Sequence, residues 1–225
     1  MLQSRPAPAD LAAAFRRARL GREHEPALLL HDLARIRAKL AALAAAFPPG
    51  ALHTLAIKAN PLVGVLRAAV AAGAGLEAAS IEEVHLALRT GCPPDRIVFD
   101  SPVKTVEELA EALRRGIRIN ADNFAELHRI AELLQTIRTT SAIGLRVNPE
   151  LAEPADATTS VGHRGSRFGV PVSDRARIRA AFARHRFLRG LHLHIGSQCA
   201  TVPDLVEGAA RVWALRQELC SEEHV

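Results

Sequence analysis

The chain has 225 residues, 48% hydrophobic and 24% charged, with 14 Gly and 13 Pro; this mixture supports one globular domain and excludes disordered, collagen-like and disulfide-scaffold classes. Its formal net charge is +5, but the basic residues are scattered, aromatics make up 4% and Tyr is absent, which argues against a nucleic-acid partner. No apolar run approaches the roughly 18 residues of a membrane span, and Cys92, Cys199 and Cys220 form neither a CxxC pair nor an even framework, so a reducing cytoplasm is the expected compartment.

Residues 1–26 read as an N-terminal extension. Beyond them, short β-like runs alternate with amphipathic stretches. The pattern predicts strands over 27–30, 53–58, 76–79, 96–99, 117–120, 143–147 and 188–195. Helices are predicted over 32–47, 61–72, 81–89, 106–114, 123–137, 173–185 and 202–219. Gly73, Gly91 and Gly116 stand where left-handed helix caps belong. From residue 53 to residue 143 the strands recur every 20 to 26 residues, the length of a minimal strand-helix unit. The expected class is therefore α/β, with a parallel sheet covered by helices.

Polar residues at the strand ends choose between an open doubly wound sheet and a barrel. The first strand of the regular series runs into Lys58 and Asn60, the second carries Glu77 and ends at Ser80, and the third ends at Asp100 and Ser101. The fourth ends at Asp122 and Asn123, the fifth offers Arg146 and Asn148, and the sixth offers His192, His194, Ser197 and Gln198. Strands also end simply where polar turns begin, yet Lys58, Glu77, Arg146 and His194 lie within or beside apolar runs. Chemistry gathered at the C-terminal ends of many strands is the habit of the (β/α)8 TIM barrel. About six of the eight units are present, so residues 27–225 are expected to be an incomplete barrel, either a fragment of a larger protein or one needing a partner to cover the gap. Residues 150–173 read as a long loop on the same rim.

Only three of the 29 basic residues are lysines: Lys39, Lys58 and Lys104. A chain that takes its generic positive charge from Arg has a specific use for a lysine in an apolar stretch, because only the amine readily loses its proton and becomes a nucleophile. Lys58 ends the apolar run LHTLAIK; it is either such a nucleophile or a lysine extending its ammonium to water. In GHRGSRFG, Arg164 and Arg167 either touch a phosphate or carboxylate or are solvated loop arginines.

The ordered set AIKAN, GLEAAS, RIVFDSPVKT, INADNFAEL, GLRVNPE, SRFGV and GLHLHIGSQ resembles the strand-end signatures of fold-type III pyridoxal-phosphate enzymes. The nearest group is the diaminopimelate, ornithine and arginine decarboxylase family, with alanine racemase more distant, and the resemblance spans roughly residues 27–219. It implies that Lys58 forms the internal aldimine with pyridoxal 5'-phosphate, that His194 stacks on the cofactor ring and that Ser197 contacts its phosphate. It further implies that Arg146 lies beside the ring and that Glu77 is the acidic residue near the Schiff-base lysine. His192 points the same way as His194 by strand periodicity, and no role or metal is assigned to it.

The activity implied is decarboxylation of a basic or diamino acid, with amino-acid racemisation or non-catalytic cofactor handling as alternatives. The implied partners are a small amino-acid substrate and a second copy in a homodimer. The family's phosphate loop on the seventh strand, its Glu-Pro-Gly-Arg segment and its C-terminal β-domain are not found in the sequence, so weak or absent turnover is expected of this chain alone.

Overall fold

The computed structural model describes residues 8–19, 29–152, 161–196 and 201–222. Two helices, α1 (Pro8–Arg19) and α2 (Leu33–Ala46), precede the first strand. Six strand-helix units follow: β1 (Thr54–Ala56) with α3 (Val63–Ala71), β2 (Gly75–Ala78) with α4 (Ile81–Arg89), β3 (Ile97–Phe99) with α5 (Val106–Arg115), and β4 (Arg118–Ala121) with α6 (Phe124–Leu133). In the fifth unit β5 (Ile143–Asn148) and the two-residue β6 (Val170–Pro171) precede α7 (Arg175–Arg184), and β7 (Leu188–His192) with α8 (Val202–Glu222) makes the sixth. Every pairing is parallel, in the order β1-β2-β3-β4-β5, and β5 then pairs both β6 and β7.

Period-two alternation divides the sheet. Leu76 and Ala78 of β2, Ile97 and Phe99 of β3, Ile119 and Ala121 of β4, and Leu145 and Val147 of β5 are buried in one cluster with Leu66, Val84, Leu109, Leu113, Ile130 and Ile178 from the helices. The alternate positions carry Glu77, Val98, Asn120, Arg146 and His192, in the register Glu77↔Val98, Asn120↔Gly144 and Arg146↔His192. The sheet is strongly rolled toward this second face: His192 Nε2 lies 3.2 Å from Asp100 Oδ2, although β4 and β5 stand between β7 and the end of β3. The fold is α/β of the TIM-barrel type, with the six expected strand-helix units.

Local chemistry sets the helix ends. The Thr105 hydroxyl accepts from Glu108 N at 3.2 Å while the Glu108 carboxylate accepts from Thr105 N at 2.7 Å, a capping box that starts α5. Ser80 and Asn123 cap α4 and α6. The three glycines expected as caps, Gly73, Gly91 and Gly116, all take positive φ. Gly75 is needed for a different reason, since a Cβ there would run into the carbonyl oxygen of Arg96, just before the neighbouring strand β3.

The structure differs from the expectations at five places, one of them the last strand, expected over 188–195, which ends at His192 and leaves His194 beyond it. The strand expected at 27–30 is not seen: Leu29 and Leu30 lie outside any strand, and Ala27 and Leu28 fall outside the described residues. The first strand of the series stops at Ala56, and Ile57–Ala59 form a 3-10 turn closed by Asn60 N donating to Ile57 O at 2.9 Å; Pro61, lacking an N–H, follows directly. α6 stops at Leu133, where the chain tightens into i→i+3 bonds. β6 went unread because two residues have no detectable periodicity and their pairing, Val147↔Val170, is long-range.

Replacing Gly75 with Ala is expected to destabilise the chain by about 1–3 kcal/mol through overpacking, and Thr105→Ala by about 1 kcal/mol through loss of the cap. Urea unfolding followed by circular dichroism reads both.

Candidate active site

The C-terminal ends of the strands bring a line of charged side chains together. The turn after β1 carries Lys58 two residues beyond Ala56, the register partner of Glu77, and sets Lys58 Nζ 3.2 Å from Glu77 Oε1. The Lys58 side chain is 50% exposed and that of Glu77 is 14% exposed. Asp100 follows β3, the strand next to the one that carries Glu77, and is tied to the sheet through Asp100 N donating to Ala78 O. His192 closes the line from the far side through its 3.2 Å contact with Asp100. The order is Lys58, Glu77, Asp100, His192.

These neighbours move the titrations apart. Burial, reinforced by the hydrogen bond and the negative charge of Asp100, pushes Glu77 up to about 7, while Lys58 opposes the rise. Burial also pushes Asp100 up, but hydrogen bonds from His192 and Glu77 outweigh it and hold this carboxyl well below its usual range. His194 is lowered by burial first, then by the nearby charges of Arg146 and Lys58 and by the neighbouring His192.

Arg146 is buried on β5, with Nη1 3.0 Å from Asp122 Oδ1 and its guanidinium carbon 5.0 Å from the centre of the Phe168 ring. The SRFG segment closes on it tightly, since a Cβ at Gly169 would lie 3.1 Å from Arg146 Cγ. Arg164 and Arg167 of the same loop are exposed, and Arg167 lies over the Phe168 ring. Beneath this layer Lys104 is fully buried, with Nζ 2.9 Å from Glu126 Oε2 and donating to the carbonyls of Ser101 and Asn120. Glu126 Oε2 also accepts from Asp122 N at 2.8 Å, which joins the Lys104 pair to the Arg146 pair.

Of the residues singled out from the sequence, Lys58, Glu77, Arg146 and His194 converge on this rim, and Ser197 lies outside the described residues. Asp100 and Asp122 were visible as strand-end acids, but their partners were not. Phe168 and the Lys104–Glu126 pair were missed. The scarcity of lysine that drew attention to Lys58 applies equally to Lys104, and that signal could have found it.

Removing one partner of a dry ion pair strands the other. Lys104→Met is expected to cost about 3–5 kcal/mol of stability, and the double variant Lys104→Met/Glu126→Leu to recover most of it. Urea unfolding of the two variants beside the parent chain measures the difference.

The sequence matches the family described as "Pyridoxal-dependent decarboxylase, pyridoxal binding domain" over residues 33–222. It is 30% identical over 167 residues to the diaminopimelate decarboxylase of Zymomonas mobilis, covering 73% of this chain and 40% of that protein. With the diaminopimelate decarboxylase of Campylobacter jejuni it shares 34% identity over 168 residues, 73% of this chain and 42% of the relative. The crystal structure of Helicobacter pylori diaminopimelate decarboxylase complexed with L-lysine superposes with a TM-score of 0.81 at 26% identity, covering 92% of this chain and 54% of that one. The chain thus spans about half the length of the proteins it matches. With a matched domain that runs through all six strand-helix units and the whole charged rim, this chain belongs to the pyridoxal-dependent decarboxylase family.

Proposed function

We propose that residues 27–225 form the cofactor-bearing barrel of a decarboxylase of basic or diamino acids, with Lys58 as the amine that takes the aldehyde of pyridoxal 5'-phosphate. The observation that carries this reading is the different placement of the three lysines. Lys39 is exposed on α2 away from the strand ends, Lys104 is sealed in a dry ion pair, and Lys58 alone is both open to solvent and set among the polar groups of the rim.

The donor set suits a flat, anionic, aldehyde-bearing ring. Lys58 offers the nucleophile, His194 an imidazole face, and Arg146 a guanidinium held in place by Asp122 and Phe168. The resemblance adds Ser197 as the contact to the phosphate. When bound, pyridoxal phosphate supplies an electron sink for the bond broken at the substrate's α-carbon. The chain's own residues hold the geometry: Glu77 accepts from the Lys58 amine, and Asp122 fixes the Arg146 guanidinium, which the resemblance would set beside the cofactor ring. The substrate class rests on the relatives' names and on the L-lysine held by the Helicobacter pylori structure. A homodimer of the whole protein is the assembly that the resemblance supports.

Mixing the chain with pyridoxal phosphate, reducing with borohydride and mapping the pyridoxyl group by peptide mass is expected to find it on Lys58 alone. Label shared with Lys39, or none, would overturn the reading. His194→Ala is expected to loosen the cofactor by about 1 kcal/mol, roughly fivefold, the scale of one ring contact; equilibrium titration of cofactor absorbance measures it. In the whole protein, carbon dioxide release from a diamino acid supports decarboxylation, and α-proton exchange without it would favour a racemase.

A further inference from the structure

In a dry interior a well-packed apolar pair is often as stable as an ion pair, because the attraction between the charges does little more than offset their lost hydration. Stability therefore does not account for the Lys104–Glu126 pair, whose side chains are 0% and 1% exposed. What apolar side chains cannot supply is direction. Lys104 Nζ donates to Ser101 O, just beyond β3, at 2.6 Å and to Asn120 O on β4 at 2.9 Å. Glu126, in the first turn of α6, is held at both ends: its N donates to Asn123 Oδ1 at 2.9 Å, and Oε2 meets the Lys104 ammonium at 2.9 Å. The same Oε2 accepts from Asp122 N at 2.8 Å, while Oε1 is buried with no hydrogen-bond partner among the described residues. Both contacts thus fall on one oxygen, and Lys104 and Asp122 together set the direction of the carboxylate. Asp122 in turn brings Oδ1 within 3.0 Å of Arg146 Nη1. Bonds run unbroken from Lys104 through Glu126 and Asp122 to Arg146.

We propose that Lys104 and Glu126 are positioning residues for Arg146: the pair fixes the backbone of Asp122, and Asp122 fixes the guanidinium. Lys104 allows a charged acceptor to be buried, and a charged acceptor grips the Asp122 N–H more firmly than a neutral one. An arginine reaches its place on a flexible stem, so a carboxylate whose own backbone can shift would hold it over a range of positions instead of one. Resting on the reading that sets Arg146 beside the cofactor, the pair then governs cofactor affinity from beneath the rim, without touching the cofactor.

The test follows the Arg146 guanidinium by NMR in the 225-residue chain labelled with 15N-arginine, without cofactor, its signal assigned by loss in Arg146→Lys. In the parent chain its protons are expected to exchange with water at least about tenfold more slowly than those of exposed arginines, the scale of one charged hydrogen bond. The double variant Lys104→Met/Glu126→Leu removes the acceptor and should free Arg146 by about the same factor and weaken pyridoxal phosphate binding about tenfold. Lys104→Met/Glu126→Gln keeps an oxygen for Asp122 N and should restore most of both. Urea unfolding of the variants separates loss of position from loss of stability, since the Leu variant is expected to free Arg146 while staying folded. A parent Arg146 that exchanges like an exposed arginine overturns the proposal, as does a folded Leu variant with parent exchange, or equal rates in the Leu and Gln variants. If the Leu variant does not fold, the Gln variant decides: near-parent exchange supports the proposal, and exchange as fast as that of an exposed arginine overturns it. The exchange readout is independent of the cofactor reading. An Arg146 freed in the Leu variant with unchanged cofactor affinity sinks only the placement of Arg146 beside the cofactor, whereas weakened affinity with unmoved exchange sinks only the positioning role.

Discussion

Because every strand pairs in parallel, each one must be followed by a crossover that carries the chain back, and all the C-terminal strand ends leave the sheet on one side. Whatever polar residues terminate the strands are therefore gathered together. The roll of the sheet then closes the distance, and the 3.2 Å contact between His192 and Asp100 bridges strands that are not neighbours in the ladder. Residues 92 positions apart in sequence become partners through that geometry alone.

Water divides the gathered charges into two tiers. Lys104 with Glu126 and Arg146 with Asp122 lie in the dry layer, each charge answered by an opposite one and the Lys104–Glu126 pair by backbone groups as well, the kind of pairing that buried charges require. Lys58 with Glu77 lies in the wetter layer, where one partner is half exposed and the other only largely buried. The same kinds of side chain thus act as buried framework below and as a solvent-open rim above. Arg146 spans both tiers, held by Asp122 and capped by Phe168, so the dry layer sets where the rim's guanidinium can be.

The SRFG turn shows how a loop joins the site. Gly169 takes φ +74, a Cβ there would press at 3.1 Å on Arg146 and on the backbone of Asn148, and the next residue enters β6. A glycine at that point lets the loop press its aromatic residue onto the arginine. The long loop after β5 is therefore tied back into the sheet before α7 begins.

Helices, most strands and glycine caps were legible from the sequence because they depend on local chemistry: alternation of period two, apolar stripes, and residues such as Thr105, Ser80 and Gly116 that satisfy or reverse the backbone where they stand. The rim residues Lys58, Glu77, Arg146 and His194 were legible for a related reason, as polar groups intruding on apolar runs. The sequence by itself thus determined the α/β class, the six-unit repeat and the family. Which acid meets which base was decided by the tertiary structure, as were the burial of Lys104 and the seating of Phe168 on Arg146. Pairing across a rolled sheet and the exclusion of water depend on distances between segments remote in the chain, and no local pattern of residues encodes those distances.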